Sequence, residues 1–224
     1  HDPATQGHQL ERLGSETGEG HRDRAGEHIL ADAVGTGYGT QMLHRMHAST
    51  LQRCPALPSR PVAASELPQD LELTPLNGDG QTVSQWLSMF HLLIVALDPY
   101  TAQSSAILDT AERVLATFRG ADVRAAFLCT AGADDTQRYL GPMADQFLTF
   151  ADPDRAAVSA MELDELPALV VVNQAGELEG VAEGWDPDAW QAVTDDLAEV
   201  MAWTGPLLPE AGDPPAFAGS RAKG

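Results

Sequence analysis

The chain has 224 residues, of which 43% are hydrophobic, and a formal net charge of −20 at pH 7. This length supports the core of one ordinary domain with residues left over. Nearly all of the negative charge lies after residue 62, and so acidic a surface repels phosphate backbones and anionic lipids. We therefore expect no nucleic acid and no membrane as partner, and we expect basic protein segments to be attracted.

The N-terminal third differs in amino-acid composition from the rest. Residues 1–62 are rich in Gly, His and charged residues, and the segment "CPALPSRPVAASELP" that ends at Pro68 has four prolines, which disfavour helix and central strand. His44 and His47 are three apart, but no third ligand completes a metal-binding spacing. We predict an extension and proline-rich linker over 1–68, with no metal site and no cofactor.

Alternating apolar and amphipathic segments follow from Leu71. "LELTPLNGDGQTV" predicts a hairpin because its Asn-Gly-Asp-Gly turn tolerates positive φ, and the short helix "TVSQWLSM" comes next. A helix ended by Gly120 is predicted from the apolar stripe that runs from Ile107 to Phe118. Unbroken apolar runs predict buried strands, the last two joined in a hairpin by "NQAG", at 91–98, 122–130, 146–151 and within 167–184.

Two further helices carry start signals. Asp152 and Asp186 are each followed by proline, the pattern of an N-cap with proline at the first helical position, and Gly205 ends the second helix. Strands separated by helices imply parallel crossovers, whereas the last two strands are close enough to pair antiparallel. The sequence thus predicts an α/β domain with a mixed sheet at 69–205 and an irregular tail at 206–224.

The segment "FLTFADPDRAAVSAMELDELPALVVVNQAGELEG" resembles the second half of thioredoxin-like proteins of the thiol-peroxidase and TlpA type. Pro167 falls where that superfamily has its cis-proline, and "HLLIVALDPYTAQSSAILDTAERVL" resembles its strand, active-site corner and helix. The resemblance covers about residues 70 to 204. It implies a thioredoxin-like mixed central sheet flanked by helices, to which the composition of residues 1–68 adds a long irregular N-terminal extension.

The active-site cysteines of the family are missing from this corner. The family has Cys-x-x-Cys or Thr-x-x-Cys there, because the helix dipole stabilises a thiolate, whereas this chain has Thr101, Ala102, Gln103 and Ser104. A dipole worth about 1 kcal/mol cannot ionise a hydroxyl near neutral pH. The resemblance then implies a domain that has kept the groove and lost the redox groups.

Two functions compete, and a third possibility is the binding of an anion or small ligand at the helix start formed by Thr101, Ser104 and Ser105. The first is a redox-inactive binding, scaffold or assembly-factor domain that docks a protein partner in a groove formed by Tyr100, Thr101, Ser104, Leu166 and Pro167. In that function the N-terminal extension could wrap a partner or hold a homo-oligomer together. The second is a thiol-dependent peroxidase or oxidoreductase that uses a displaced cysteine, Cys129 or Cys54. We favour the first, without an enzymatic activity.

Cysteine usage and the first thirty residues also bear on the compartment. The two cysteines form neither a disulfide framework nor a metal quartet. The chain has no run of 18 apolar residues, and its start lacks the basic-then-apolar pattern of a secretory signal. These features favour a cytoplasmic, reducing location.

Overall fold

The computed structural model describes residues 65–223. Its centre is a five-stranded sheet, whose strands are β3 (His91–Leu97), β4 (Val123–Cys129), β5 (Leu148–Ala151), β7 (Ala168–Val172) and β8 (Leu178–Glu183). Across the sheet the strands follow the order β5-β4-β3-β7-β8. β3, β4 and β5 are mutually parallel, while β7 runs antiparallel to both β3 and β8. The mixed sheet predicted from the sequence is confirmed.

Both faces of this sheet are covered, which explains the unbroken apolar run of its central strand. Leu93, Val95 and Leu97 of β3 belong to one core, and the alternating residues Leu92, Ile94 and Ala96 belong to the other. Successive side chains of a strand point to opposite faces, so a strand buried on both sides needs an apolar residue at every position.

Seven helices and two small antiparallel sheets complete the described part of the chain. The helices are α1 (Val83–Trp86), α2 (Ala102–Ala106), α3 (Leu108–Thr117), α4 (Ala133–Leu140), α5 (Met143–Gln146), α6 (Ala156–Ala160) and α7 (Pro187–Val200). The hairpin strands are β1 (Glu72–Leu73) and β2 (Gln81–Thr82), and the second pair is β6 (Glu165–Leu166) with β9 (Ser220–Arg221). No helix within 65–223 is long and apolar enough to cross a bilayer.

Some predicted helix boundaries hold and others move. Asp186 caps α7 by accepting a hydrogen bond from the Asp188 N–H at 3.0 Å, and Pro187 is the first helical residue. The helix ends at Val200, five residues before the predicted Gly205. A break at Ile107 divides the predicted helix after the corner into α2 and α3.

The helix start predicted at Asp152 and Pro153 was wrong by three residues. α6 begins at Ala156, after Arg155 in the left-handed region with φ 55°. The Asp152 carboxylate still accepts hydrogen bonds from the amides of Ala157 and Val158, at 3.2 and 3.0 Å. It therefore satisfies first-turn N–H groups from outside the helix, with a loop inserted between the acid and the helix.

The domain also extends beyond the predicted boundaries at both ends. Leu67 is buried in the core, and Glu66 forms a β-bridge with Glu177. The segment predicted as an irregular tail folds back onto the domain: Phe217 forms a bridge with Trp185, and β9 pairs with β6. The extension at 1–64, with its histidines and Cys54, lies outside the described residues.

Candidate binding site at the strand-to-helix corner

The corner that follows β3 is built by two hydroxyl groups that hold the backbone. The Thr101 hydroxyl donates to the Asp98 carbonyl at 3.0 Å and accepts the Ser104 N–H at 3.3 Å, which makes Thr101 the N-cap of α2. The Ser104 hydroxyl accepts the Asp98 N–H at 2.9 Å, and the whole Ser104 residue is buried. Both hydroxyls thus satisfy backbone groups, and the buried Ser104 is also out of contact with solvent.

A nearly buried ion pair lies beneath the corner. Asp98 is only 5% exposed, and its carboxylate accepts hydrogen bonds from Arg155 Nη2 at 2.7 Å and from the Tyr100 N–H at 3.0 Å. The same guanidinium donates through Nη1 to the carbonyl oxygen of Ala222. Arg155 therefore ties the corner to the segment before α6 and to the last part of the described chain.

Tyr100 is the exposed member of the corner, with 69% of its surface accessible. Its hydroxyl donates to the Asp135 carboxylate at 2.6 Å, and Asp135 also accepts a hydrogen bond from Arg138. The bond to Asp135 raises the pKa of Tyr100, and the bonds from Tyr100 and Arg138 lower the pKa of Asp135. Tyr100 is thus held in one orientation by α4, with its ring open to contact.

The predicted Leu166-Pro167 side of the groove lies next to the corner. The peptide bond between them is cis, and Ala168, which follows, pairs with Ala96 near the end of β3. The Leu166 side chain, however, is fully buried in the core, and its backbone is already paired with Ser220. The structure brings the five predicted residues to one end of the sheet, with the Leu166 backbone covered by the chain itself.

Cys129 ends β4 and is fully buried. Burial, with a smaller contribution from the negative charge of Asp98, raises the pKa of its thiol to about 12. The thiolate is the nucleophilic and metal-binding form of cysteine, and at neutral pH this side chain is in the thiol form. Its environment is that of a small apolar core residue.

Three residues near the corner were not singled out from the sequence. Asp98 could have been noticed, because it is an acid that ends an apolar strand. Arg155 gave no local signal, since its partners are 57 and 67 residues away. Tyr139 is half-buried, its hydroxyl is buried without a hydrogen-bond partner among the described residues, and burial raises the pKa of that hydroxyl to about 12.

Within 65–223 no group of three or more His, Cys, Asp or Glu side chains is arranged to hold a metal ion. The arrangement at the corner therefore consists of capped backbone, one internal ion pair and one exposed aromatic ring.

Solved structures share this arrangement of strands and helices. One, from Chlorobium tepidum and described as a thiol:disulfide interchange protein DsbE, aligns with a TM-score of 0.51 at 10% identity over 61% of this chain and 97% of its own. This domain has a thioredoxin-like fold. A cysteine-to-serine mutant of PrxQ from Xylella fastidiosa aligns similarly, with a TM-score of 0.50 at 12% identity over 61% of this chain and 96% of its own.

Comparison with protein-family models and with curated proteins found no match. At 10–12% identity the structural similarity concerns the thioredoxin-like fold alone. Function must be argued from the residues of this chain, since one fold hosts many functions.

Proposed function

We propose that this thioredoxin-like chain is a protein-binding domain that works without thiol chemistry, as a scaffold or assembly factor rather than as an oxidoreductase. The observation that carries the proposal is Ser104. It stands at the last position of the Cys-x-x-Cys or Thr-x-x-Cys pattern, which is a cysteine in both, yet it is fully buried and its hydroxyl accepts a backbone N–H.

The state of Cys129 supports the same proposal. A redox thiol must be exposed and have a low pKa, whereas Cys129 is fully buried with its pKa raised to about 12. The negative charge nearest to it, Asp98, works against a thiolate. A peroxidase or oxidoreductase that uses Cys129 would need a change of structure at β4.

The surface around the corner supports binding. Tyr100 offers an exposed ring whose hydroxyl is fixed by Asp135, and tyrosines of this kind are enriched at protein interfaces. The domain is strongly acidic, so basic partner segments would be steered toward it. A cytoplasmic location, favoured by the small number of cysteines, belongs to this proposal.

The rival function, a thiol-dependent peroxidase or oxidoreductase, is tested through Cys54 and Cys129. The full chain, Cys54→Ser, Cys129→Ser and the double variant are assayed for peroxide consumption and insulin disulfide reduction with dithiothreitol as electron donor. We expect all four to match the protein-free rate. Turnover that is lost with either cysteine would overturn the proposal.

Binding is tested by native purification of the tagged chain from its own host, with mass spectrometry of co-purified proteins. Tyr100→Ala is compared with Val200→Ala, a control at another exposed apolar residue. We expect a stoichiometric partner that is reduced at least tenfold by Tyr100→Ala and retained by Val200→Ala. A partner lost only on deletion of residues 1–62 would move the site to the extension.

A further inference from the structure

The segment 217–223 lies along one margin of the domain as an extended strand. We call the surface beneath it the edge site, defined as Asp164–Pro167 together with Gly184 and Trp185. The backbones of Phe217 and Trp185 exchange two hydrogen bonds of 2.9 Å, and the Ala222 N–H donates to the Asp164 carbonyl at 2.8 Å. The Ser220 hydroxyl donates to the Leu166 carbonyl at 3.2 Å. The contacts are those of a peptide added to a sheet margin.

The edge site selects for glycine at one position. The Gly219 N–H donates to the Glu165 carboxylate at 2.8 Å, and a Cβ at residue 219 would lie 2.8 Å from both Glu165 Cβ and the Leu166 carbonyl oxygen. The approach is also close from the other side, where a Cβ at Gly184 would lie 2.9 Å from the Phe217 oxygen. Real Cβ atoms do not approach so closely, so a side chain at residue 219 would push the segment off the surface.

The two ends of the segment add an aromatic and a basic preference. Phe217 packs against the core beside Trp185, and Arg221 and Lys223 follow the glycine. Lys223 forms an ion pair of 3.7 Å with Asp164, and Arg221 stands opposite Glu165 in the β6–β9 ladder. Within a domain that is otherwise strongly acidic, this segment is locally basic, which is charge complementarity between the edge site and its occupant.

We propose that the edge site binds an extended segment of a partner protein with an aromatic residue, a glycine two positions later and a basic residue two positions after that. Residues 217–223 occupy the site within the chain by the same chemistry. The inference rests on the proposed binding function and names the kind of segment that the partner supplies: one that replaces residues 217–223 next to the corner, where Arg155 holds the Ala222 carbonyl.

Replacement has a definite requirement. A tethered segment competes at an effective concentration of about 1 mM, so a partner displaces it when the partner's concentration divided by its dissociation constant exceeds that effective concentration divided by the dissociation constant of the segment. The hydrogen bonds that hold residues 217–223 involve backbone groups of the edge site and one carboxylate, and an extended partner segment offers an equivalent set.

The first experiment opens the site and refills it with a defined probe. The chain ending at Ala216 is titrated with a fluorescent peptide of residues 215–224 and with the same peptide carrying Gly219→Ala. We expect saturable binding of the first peptide, at least tenfold weaker binding of the second, and at least tenfold weaker binding of the first to the full chain. Equal binding of the two peptides, or binding of neither by the folded shortened chain, would overturn the inference.

A second variant covers the case in which the shortened chain does not fold. In the full chain, Gly219→Ala is expected to speed hydrogen exchange of the Ala222 amide at least tenfold while core amides of β3 stay protected. Ala218→Gly is the matched control, with no such change. An unchanged Ala222 exchange rate in Gly219→Ala would contradict the selection for glycine.

Two measurements separate the identity of the occupant from the general function. Light scattering of the full chain is expected to give a monomer; a dimer that is lost in the chain ending at Ala216 would assign the site to a second copy and overturn the partner assignment. A peptide library selected on the shortened chain should enrich the aromatic-x-Gly-x-basic pattern. Thiol-dependent turnover in the cysteine assays would refute the binding function while leaving peptide recognition by the edge site measurable.

Discussion

At the scale of single residues, the side chains of the corner have structural roles: they hold the backbone, pair a charge or fill the core. Thr101 and Ser104 satisfy backbone groups, Asp98 is neutralised by Arg155, and Cys129 is enclosed by the core. Each of these residues is therefore coupled to the stability of the corner. Their roles are best separated by measurements that distinguish stability from reactivity.

Cys129 is expected to resist alkylation in the native state. Because burial raises its pKa to about 12, the thiol is protonated and inaccessible from pH 7 to 9. In Cys54→Ser, where it is the one remaining cysteine, treatment with N-ethylmaleimide at pH 8 should leave the native chain unmodified for hours. Mass spectrometry should find complete modification in 8 M urea. Rapid modification of Cys129 in the native chain would show that β4 opens, and would support the oxidoreductase alternative.

Arg155→Ala is expected to destabilise the domain strongly. It leaves the Asp98 carboxylate, which is 5% exposed, without its cation, and breaking such a pair costs about 3 kcal/mol. Urea unfolding followed by tryptophan fluorescence measures the change. Adding Asp98→Asn should recover at least half of the loss, since no uncompensated charge remains. Arg138→Ala, which removes an exposed pair, should leave the free energy of unfolding nearly unchanged.

At the scale of elements, α3 is joined to the 206–214 segment by two carboxylates that contact Arg113, Asp213 with hydrogen bonds and Glu210 with an ion pair of 3.5 Å to Nε. Asp213 accepts hydrogen bonds from Thr110 Oγ1 at 2.6 Å and from Arg113 Nη1 and Nη2 at 3.0 and 2.7 Å. The Glu210 N–H adds a fourth bond at 2.7 Å. The bidentate contact between Arg113 and Asp213 fixes the 206–214 segment, which precedes the strand at the edge site.

Asp213 should make this attachment sensitive to acid. Burial acts to raise its pKa, but the hydrogen bonds from Arg113 and Thr110 outweigh burial and lower it. A carboxyl with a lowered folded-state pKa stabilises above its unfolded pKa, about 3.9, and loses that contribution as the pH falls through the folded value. Asp213→Asn should lower the free energy of unfolding by about 1–2 kcal/mol at pH 7. In urea unfolding at pH 7, 5 and 3, its difference from the parent chain should shrink by pH 3. An undiminished difference at pH 3 would contradict this.

The elements that the sequence predicted well are those with a local pattern. β3, β4 and β7 are buried on both faces, so their apolar runs were visible in the sequence, and Asp186 with Pro187 lies directly at the start of α7. α6 was misplaced because Asp152 caps it across a loop that ends in a left-handed Arg155.

The candidate site was predictable only in part, for the same reason. The corner residues are consecutive, and Pro167 stands before an apolar strand, so both could be found by pattern. The β6–β9 pair has two residues on each side and joins segments about 54 residues apart, too short for a periodic signal. The pairing of residues 217–223 with the edge site was therefore visible only in the three-dimensional structure.

At the scale of the whole molecule, the described residues contain both cores and every strand of the central sheet. Residues 65–67 already pair with the β7–β8 hairpin, through Leu67 with Gly176 and Leu178 with Ser65. Thus 65–224 contains the elements that an independent folding unit needs.

The fragment 65–224 is therefore expected to fold without the extension. All four tryptophans of the chain lie within it, so near-ultraviolet circular dichroism and fluorescence report on the same groups in both proteins. We expect a single cooperative urea transition, with a free energy of unfolding within about 1 kcal/mol of the full chain. A broad transition, or a loss of the aromatic signal, would show that residues 1–64 contribute to the core.

Trp185 gives the molecule an optical reporter. Its indole Nε1–H donates to the Pro214 carbonyl at 2.8 Å, and its backbone pairs with Phe217. Its ring packs edge-on against the ring of Trp190, with 5.3 Å between the ring centroids. Detachment of the strand that follows Pro214 would admit water to one indole while the neighbouring one stays enclosed. A red shift in emission without loss of secondary structure would thus register release of residues 217–223 from the edge site in real time, with no added dye.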